Sequence, residues 1–106
     1  MIISDLIVDD KPVLALKGRI DSNTAALCEE ALLSRVQDGR DRLLLDLREV
    51  DYISSTGLRI LVMTQRRAAM LNADFVLCCL QPSVIEILEI SGLVDLLQIQ
   101  AGLSTS

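Results

Sequence analysis

The pattern of hydrophobic and polar positions predicts strands and helices that follow one another along most of the 106-residue chain. Residues 2–9 and 12–17 are two apolar segments joined by the turn-forming run Asp9-Asp10-Lys11, and they predict a β-hairpin. The uninterrupted leucine run at residues 43–45 predicts a central strand that is buried on both faces. Residues 75–80 predict another apolar strand, and a last short strand is expected near the C-terminus.

Three helices are predicted between and after these strands. The first begins at a cap provided by Ser22 or Asn23, extends to about Gln37 and ends at residues 38–40. Apolar residues at helical spacing mark the side of this helix that should pack on the sheet. They are Ala25, Cys28, Leu32 and Val36.

The second helix is predicted from about Ser55 to Leu71, with Asn72 as its stop, and the third from Pro82 to about Ser91. One face of the second helix carries the residues expected to pack on the sheet, Leu58, Leu61, Val62, Ala68 and Ala69. The opposite face mixes apolar side chains with guanidinium groups: Arg59, Ile60, Met63, Arg66, Arg67 and Met70. Such a face either docks an acidic partner or packs Ile60 and Met63 against a neighbouring helix.

The element order and the chain length together predict one small α/β domain. The strand–helix–strand segment at residues 43–80 is expected to be a parallel crossover, whereas the N-terminal hairpin is antiparallel, so the sheet is mixed and has helices packed on it. A chain of 106 residues has little room for a second core. Residues 1–101 are therefore assigned to the domain and residues 102–106 to a flexible C-terminal tail.

Composition and charge argue against several classes of function. The net charge of −5 argues against nucleic acid as a partner, because phosphate binding needs a basic surface. No histidine is present, which removes the commonest catalytic base and metal ligand. No apolar run is long enough to cross a membrane, and the N-terminus lacks the basic start of a signal peptide. We therefore expect a cytoplasmic protein that is not an enzyme and has no metal or cofactor.

The cysteines fit this view. Three cysteines make neither a disulfide framework nor the spacing of a zinc site, which favours a reducing compartment. Cys78 and Cys79 are adjacent in a predicted strand, so their side chains are expected to point to opposite faces of the sheet and to fill the core.

Three consecutive hydroxyl residues, Ser54, Ser55 and Thr56, precede Gly57 at the start of the second helix. One hydroxyl is enough to accept a hydrogen bond from the free N–H groups of the first turn, a cap worth about 1 kcal/mol. Glycine in that turn costs about 1 kcal/mol relative to alanine, so it suggests that something approaches the backbone closely. The triplet is therefore a cap, or a cap together with an exposed phosphate acceptor at the positive end of the helix dipole.

Longer motifs resemble a known family. The letters DL at residues 46–47 and VDYISSTGLRIL at residues 50–61 resemble the signature of the STAS domain, and more narrowly that of the bacterial anti-sigma factor antagonists. LKGRID at residues 16–21 is similar to the second strand and following loop of the family, and SGL at residues 91–93 to the end of its third helix. The resemblance implies a STAS-type mixed β-sheet with helices packed on it.

The resemblance also implies a site. In this family a partner kinase phosphorylates a serine two residues before the glycine, which is Ser55 here, with Thr56 or Ser54 as alternatives because Ser54 stands where the family usually has aspartate. Asp21 resembles an acid near the acceptor that helps to contact the partner, although a turn residue explains it equally well. The residues expected to bind the partner are Asp21, Ser54, Ser55, Thr56, Gly57, Arg59, Ile60 and Met63.

The mechanism implied by the resemblance is a phosphorylation-controlled protein-binding switch. The unphosphorylated antagonist binds an anti-sigma factor that is also an ATP-binding serine kinase, and so releases a sigma factor or another effector. Phosphorylation prevents this binding, and a PP2C-like phosphatase reverses it. One alternative is a STAS accessory subunit that binds the ATPase of a lipid-transporting ABC system without a switch. The other is an enzyme with Ser55 as nucleophile, which has no histidine or nearby lysine to activate it.

Overall fold

The computed structural model describes residues 1–37 and 42–103. Within that part of the chain, one sheet contains the strands β1 (Ile2–Val8), β2 (Lys11–Lys17), β3 (Arg42–Glu49), β4 (Asp74–Cys78) and β5 (Gln98–Gln100). The helices are α1 (Ala25–Gln37), α2 (Ser55–Met70) and α3 (Pro82–Ile90), and a short 3₁₀ turn, Val94–Leu96, precedes β5. The strands lie in chain order, with β1 and β2 antiparallel and the other pairs parallel, which confirms the predicted mixed sheet of a single α/β domain. None of the helices in this described part combines the length and hydropathy that a membrane span requires.

The N-terminal hairpin forms as predicted. Val8 pairs with Lys11, so Asp9 and Asp10 alone make the turn. Both aspartates have positive φ, 52° and 63°, as a tight two-residue hairpin turn with the twist of the flanking strands requires. Aspartate tolerates this conformation better than most residues, which explains why a pair of acids stands here.

Helix α1 begins later than the sequence pattern suggests. Asp21 Oδ1 accepts hydrogen bonds from the N–H groups of Asn23 (2.9 Å) and Thr24 (3.3 Å), which holds this segment in a turn. The first i→i−4 bond then runs from Cys28 N–H to the Thr24 carbonyl (3.0 Å). The predicted cap at Ser22 or Asn23 is wrong, because Asp21 engages the backbone in a local turn instead. The predicted helix end at residues 38–40 lies outside the described residues.

Strand β4 ends at Cys78 and not at the predicted Leu80. The next residue, Cys79, has a φ of 60°, which takes the chain out of the sheet. The sulfur atoms of Cys78 and Cys79 lie 3.5 Å apart on one side of the strand. The prediction that these two side chains point to opposite faces is therefore wrong, because strand alternation stops at Cys78.

All three helices contribute to a core on one face of the sheet. The residues of α1 predicted to face the sheet, Ala25, Cys28, Leu32 and Val36, are all buried in it. The sheet contributes leucines and a phenylalanine from its three inner strands: Leu14, Leu16, Leu43, Leu45, Leu47, Phe75 and Leu77. This packing confirms the face of α1 that the helical spacing of its apolar residues predicts.

Helix α2 is rotated relative to its predicted faces. Ile60 is 3% exposed and belongs to the core, whereas Ala69, expected in the core, is exposed. The Thr64 hydroxyl donates to the Ile60 carbonyl (2.8 Å), so this polar side chain is satisfied within the helix and can face the core. A pattern that counts only apolar residues misses this position. The buried residues of α2 are Gly57, Ile60, Leu61, Thr64 and Ala68.

The opposite face of the sheet has a second, smaller apolar cluster. Its buried members are Val13, Leu44, Val76 and Cys78, and the half-buried Val8, Cys79 and Leu103 pack against them. Leu44 is buried here while its neighbours in β3 face the helices, so the central strand is buried on both faces as predicted. Of the predicted C-terminal tail, Leu103 packs on this cluster, and residues 104–106 lie outside the described part of the chain.

Gly57 is buried at the start of α2 between two isoleucines. A Cβ atom at this position would lie 2.6 Å from Cγ2 of Ile20 and 2.8 Å from Cγ2 of Ile53, closer than real Cβ atoms approach other atoms. Within this chain, Ile20 and Ile53 already make the close approach that the sequence suggested for Gly57. The first turn of α2 rests directly on Ile20 and Ile53.

Replacing Gly57 by alanine is expected to destabilise the fold. Overpacking against Ile20 and Ile53 costs about 1–3 kcal/mol, which exceeds the gain of about 1 kcal/mol from helix propensity. Chemical denaturation should show a net loss of free energy of unfolding for Gly57→Ala. Gly102→Ala is the control, because a Cβ atom there meets no described atom within 4 Å. Equal stability of Gly57→Ala and the wild type would contradict the packing constraint.

The buried thiol of Cys28 makes the free energy of unfolding decrease at alkaline pH. Burial, and then the charge of Glu29, raise the pKa of this thiol from 9.0 to about 11. The unfolded chain loses the proton first, so this contribution to stability is complete below pH 9 and disappears as the pH rises toward 11. We expect the wild type to lose about 2–3 kcal/mol more than Cys28→Ala across this window in denaturation at fixed pH values. Parallel pH profiles for the two proteins would contradict this assignment.

Candidate protein-binding site

The cap of α2 is provided by Ser54. Its backbone is extended (φ −78°, ψ 171°), and its Oγ accepts a hydrogen bond from Gly57 N–H at 3.2 Å. The Ser54 carbonyl accepts the first helical bond from Leu58 N–H at 2.9 Å. One residue of the hydroxyl triplet therefore performs the whole capping function that the sequence predicts.

Ser55 is the first residue of α2, and its side chain is exposed. Among the described residues, neither its hydroxyl nor that of the half-buried Thr56 has a hydrogen-bond partner. The Ser55 oxygen is thus accessible beside the N–H groups of the first turn, at the positive end of the helix dipole. A negative group attached to this oxygen would lie where the helix favours negative charge.

Two loops are tied together beneath this turn. Ile20 and Ile53 form a parallel bridge, in which Ser54 N–H donates to the Ile20 carbonyl (2.8 Å) and Ile20 N–H donates to the Tyr52 carbonyl (3.0 Å). The loop after β2 therefore lies against the loop after β3, as neighbouring parallel strands predict. This pairing fixes the entry of α2 relative to the loop that carries Asp21.

Asp21 lies on that adjoining loop and is half-buried. Its Oδ1 holds the turn before α1, and its Oδ2 is 3.8 Å from Nε of Arg19. The Arg19 guanidinium carbon lies 4.5 Å from the centre of the Tyr52 ring, a cation–π contact between the two loops. The structural explanation of Asp21 is thus correct, and Asp21 directly follows Ile20, whose carbonyl accepts the bond from Ser54 N–H. The Arg19–Tyr52 contact was not predicted, although Tyr52 is the only tyrosine of the chain.

The start of α3 bonds both the end of β3 and the loop that follows it. Gln81 Nε2 donates to the Arg48 carbonyl (2.8 Å), and Ser83 Oγ donates to the Asp51 carbonyl (3.3 Å). Asp51 itself is exposed, in agreement with its position in a loop. The loop that leads to Ser54 is therefore bonded on two sides and presents α2 in a defined orientation.

An exposed stripe runs along α2 from Ser55. Its members recur at i+3 and i+4 spacing, which places them on one side of the helix. We name this surface the α2 stripe; it consists of Ser55, Arg59, Met63, Arg66, Arg67 and Met70, all exposed. A shallow groove of about 370 Å³ lies between the two helices; it is lined by Leu33 and Gln37 of α1 and by the stripe residues Met63, Arg66, Arg67 and Met70. Because α2 contains no acidic residue, the stripe is basic on a chain whose net charge is −5.

The predicted contact residues separate into two groups. The hydroxyl triplet forms the beginning of α2, Asp21 lies on the adjoining loop, and Arg59 and Met63 continue the α2 stripe, with Met63 41% exposed. Gly57 and Ile60 are buried in the core, so their side of the helix cannot form part of the stripe. The described potential metal ligands that lie near one another, Asp46, Cys78 and Cys79, occupy the opposite face of the sheet.

Known proteins share both the sequence pattern and the fold. BtrV of Bordetella bronchiseptica is 36% identical over 89 residues, which are 84% of this chain and 77% of that protein. The anti-sigma-B factor antagonist of Listeria monocytogenes is 36% identical over 84 residues, 78% of this chain and 73% of the relative. The crystal structure of an anti-sigma factor antagonist from Mycobacterium paratuberculosis superposes with a TM-score of 0.81 at 27% identity, covering 95% of this chain and 87% of that one.

One family model matches nearly the whole chain. The STAS domain model covers residues 4–105. This range contains all of the mixed sheet except the first two residues of β1, together with the bridged loops and the α2 stripe. The chain belongs to the STAS domain family.

Proposed function

We propose that this chain is an anti-sigma factor antagonist whose binding to its partner is controlled by phosphorylation of Ser55. One observation carries the proposal: Ser54 caps α2, while Ser55 leaves an unbonded hydroxyl exposed at the head of the basic α2 stripe. A cap alone would not need the second hydroxyl. The names of relatives that match over more than two thirds of the chain support the same function.

The identity of residue 54 supports Ser55 as the acceptor. The family usually has aspartate at this position, and aspartate and serine are both among the preferred N-cap residues. Ser54 performs that capping role through its bond to Gly57 N–H (3.2 Å). The substitution therefore keeps the local structure, and the position that follows the cap is Ser55 in either case.

In the unphosphorylated protein the α2 stripe binds an anti-sigma factor. Met63 and Met70 provide adaptable apolar contact, and the three guanidinium groups of the stripe pair with acidic residues of the partner. Thr56, which follows Ser55, and Asp21 on the adjoining loop complete the contact at the head of the stripe. This binding releases the sigma factor or other effector that the anti-sigma factor holds.

Phosphorylation changes the contact without changing the fold. The phosphate adds about −1.5 to −2 charges at the helix N-terminus, where the dipole stabilises negative charge by roughly 0.3–1 kcal/mol. Arg59 follows Ser55 by four residues and lies on the same side of α2, so its guanidinium can pair with the phosphate. The phosphate then places added bulk and negative charge in a contact that otherwise contains a small neutral hydroxyl and an arginine available to the partner.

The partner is also the kinase in this proposal. An anti-sigma factor of the ATP-binding serine kinase type phosphorylates Ser55, and a PP2C-like phosphatase removes the phosphate, both in the cytoplasm. ATP belongs to the kinase, and the antagonist itself is not an enzyme. The absence of histidine from the sequence supports this, because Ser55 lacks the usual base that would activate a nucleophile. The ABC-transporter subunit is not favoured, because it needs no exposed acceptor and the relatives are named as antagonists.

Substitutions at Ser54 and Ser55 should separate capping from signalling. Ser55→Ala is expected to abolish phosphorylation by the partner kinase while changing stability by less than about 0.5 kcal/mol. Ser54→Ala should keep phosphorylation but lose about 1 kcal/mol of stability with the cap. Intact mass after incubation with kinase and ATP, together with thermal melts, measures both effects. Phosphate found only on Ser54 or Thr56 would refute the assignment.

Ser55→Asp should weaken partner binding but leave the fold intact. The carboxylate is favourable at the helix N-terminus, so the melting temperature should stay the same or rise slightly. At the interface it becomes an unpaired charge that must be desolvated, and we expect about a tenfold or greater loss of affinity in calorimetric titration. Wild-type affinity with an unchanged melt would remove the basis of the switch.

The α2 stripe itself can be tested with Met63→Asp. An acid in the centre of the basic stripe opposes an acidic partner, so affinity should fall by about tenfold while the melting temperature changes little. Ile90→Asp is the matched control, because Ile90 is 79% exposed on α3 and lies outside the stripe. Equal affinities of the two variants would place the partner elsewhere.

A further inference from the structure

The face of the sheet opposite the helices carries a pair of adjacent thiols. Regular strand geometry separates consecutive side chains, but the φ of 60° at Cys79 brings its thiol to the side of Cys78. The two sulfur atoms lie 3.5 Å apart. Backbone strain of this kind persists only where surrounding packing holds it, here against the second apolar cluster.

A guanidinium group lies against this pair. Arg48 Nη2 is 3.4 Å from Cys79 Sγ, and Arg48 Nε is 3.0 Å from Oδ2 of Asp46. Asp46 is 4% exposed and also accepts a bond from Arg48 N–H at 3.0 Å, while the Arg48 side chain is 56% exposed and contacts Asp46 and Cys79. The Arg48 guanidinium contacts both Asp46 and Cys79, so a positive group already lies beside these potential metal ligands. The arrangement therefore favours thiol chemistry over metal binding.

The two thiols differ in accessibility. Cys78 is fully buried, and burial, followed by its contact with Cys79, raises its pKa well above the ordinary range. Cys79 is half-buried and has the arginine beside its sulfur. The Arg48 guanidinium donates to that sulfur at 3.4 Å, and of the two sulfurs only that of Cys79 can be reached from solvent. The geometry thus makes Cys79 the attacking sulfur and Cys78 the neighbouring thiol that remains protonated.

We propose that Cys78 and Cys79 form a modification site that hydroperoxides oxidise to an intramolecular disulfide. The Cys79 thiolate attacks the terminal oxygen of ROOH, the O–O bond breaks, and the RO⁻ that leaves takes up a proton to become ROH. Cys79 is then a sulfenic acid. The Cys78 sulfur attacks the Cys79 sulfur, the S–O bond breaks, and the hydroxyl leaves as water with the Cys78 proton. Two thiols lose two electrons, and these electrons reduce the peroxide bond.

The resulting bond would be reversible. Adjacent Cα atoms are about 3.8 Å apart across a trans peptide, closer than the roughly 4.4–6.8 Å usual for disulfides. The ring is therefore strained, and strained disulfides are more easily reduced than structural ones. Cys78 and Cys79 thus suit a transient response to oxidant in a reducing compartment. The third cysteine, Cys28, is buried in the main core and takes no part.

The test is treatment of the reduced chain with hydrogen peroxide, followed by intact mass and peptide mapping. We expect a monomer that loses two hydrogen atoms, a linkage between Cys78 and Cys79, and full recovery with dithiothreitol. Cys28→Ser should behave like the wild type. Cys79→Ser should not lose the hydrogens, and Cys78→Ser should trap Cys79 as a sulfenic acid that dimedone labels.

Arg48→Gln tests the role of the guanidinium. It should slow oxidation by several-fold at neutral pH while the same disulfide still forms, because the variant keeps both thiols. Thermal melts of each variant establish that it is folded before oxidation. The proposal is overturned if folded wild type gives disulfide-linked dimers, reacts first at Cys28, or oxidises Cys79 to sulfinic acid without forming the linkage. Loss of the hydrogens by folded Cys79→Ser would overturn it equally.

Discussion

The contact of Gly57 with Ile20 and Ile53 is the constraint on which the site depends. It joins the first turn of α2 to the loops that follow β2 and β3, and the backbone bridge between the two isoleucines locks those loops together. With no Cβ at residue 57, the helix can approach close enough for Ser54 to cap it and for Ser55 to face outward. A larger residue would push the helix start away from the loops. The exposed hydroxyl therefore owes its position to a buried glycine.

Much of the fold follows from the sequence because its signals are local. Strand alternation, the leucine run of β3 and the turn-forming aspartates each act over a few residues, and the structure contains the elements that they predict. The predicted core-facing side of α2 is wrong because the hydroxyl of Thr64 donates to the Ile60 carbonyl, so this polar residue can be buried. A pattern of hydrophobic residues does not show such a bond. The left-handed Cys79 could not be predicted either, since the packing that holds it comes from distant residues.

The candidate site also contains features that a local sequence signal predicts and features that it does not. The triplet and the family motif located the helix start, and the cap is where the pattern allowed it. Asp21, in contrast, organises the turn before α1. The sequence left two explanations for this residue open, a turn residue or a partner contact, and could not choose between them. The basic character of the stripe is already legible in the sequence, because Arg59, Arg66 and Arg67 share one face of α2 and the helix contains no acid. A positive surface on an acidic protein orients an approaching acidic partner, so long-range steering and short-range contact act at the same place.

The separation of Ser54 from Ser55 has a consequence for the turnover of the protein. Degradation in cells follows how often a chain unfolds, and that frequency depends on the free energy of unfolding. Since the cap and the isoleucine contacts do not involve the Ser55 side chain, molecules that differ only in the state of that hydroxyl should differ in stability by no more than the roughly 0.3–1 kcal/mol of the helix dipole. If Ser55 is phosphorylated as proposed, the ratio of the two forms would then report mainly the opposing activities that make and remove the phosphate, with little selective loss of either form.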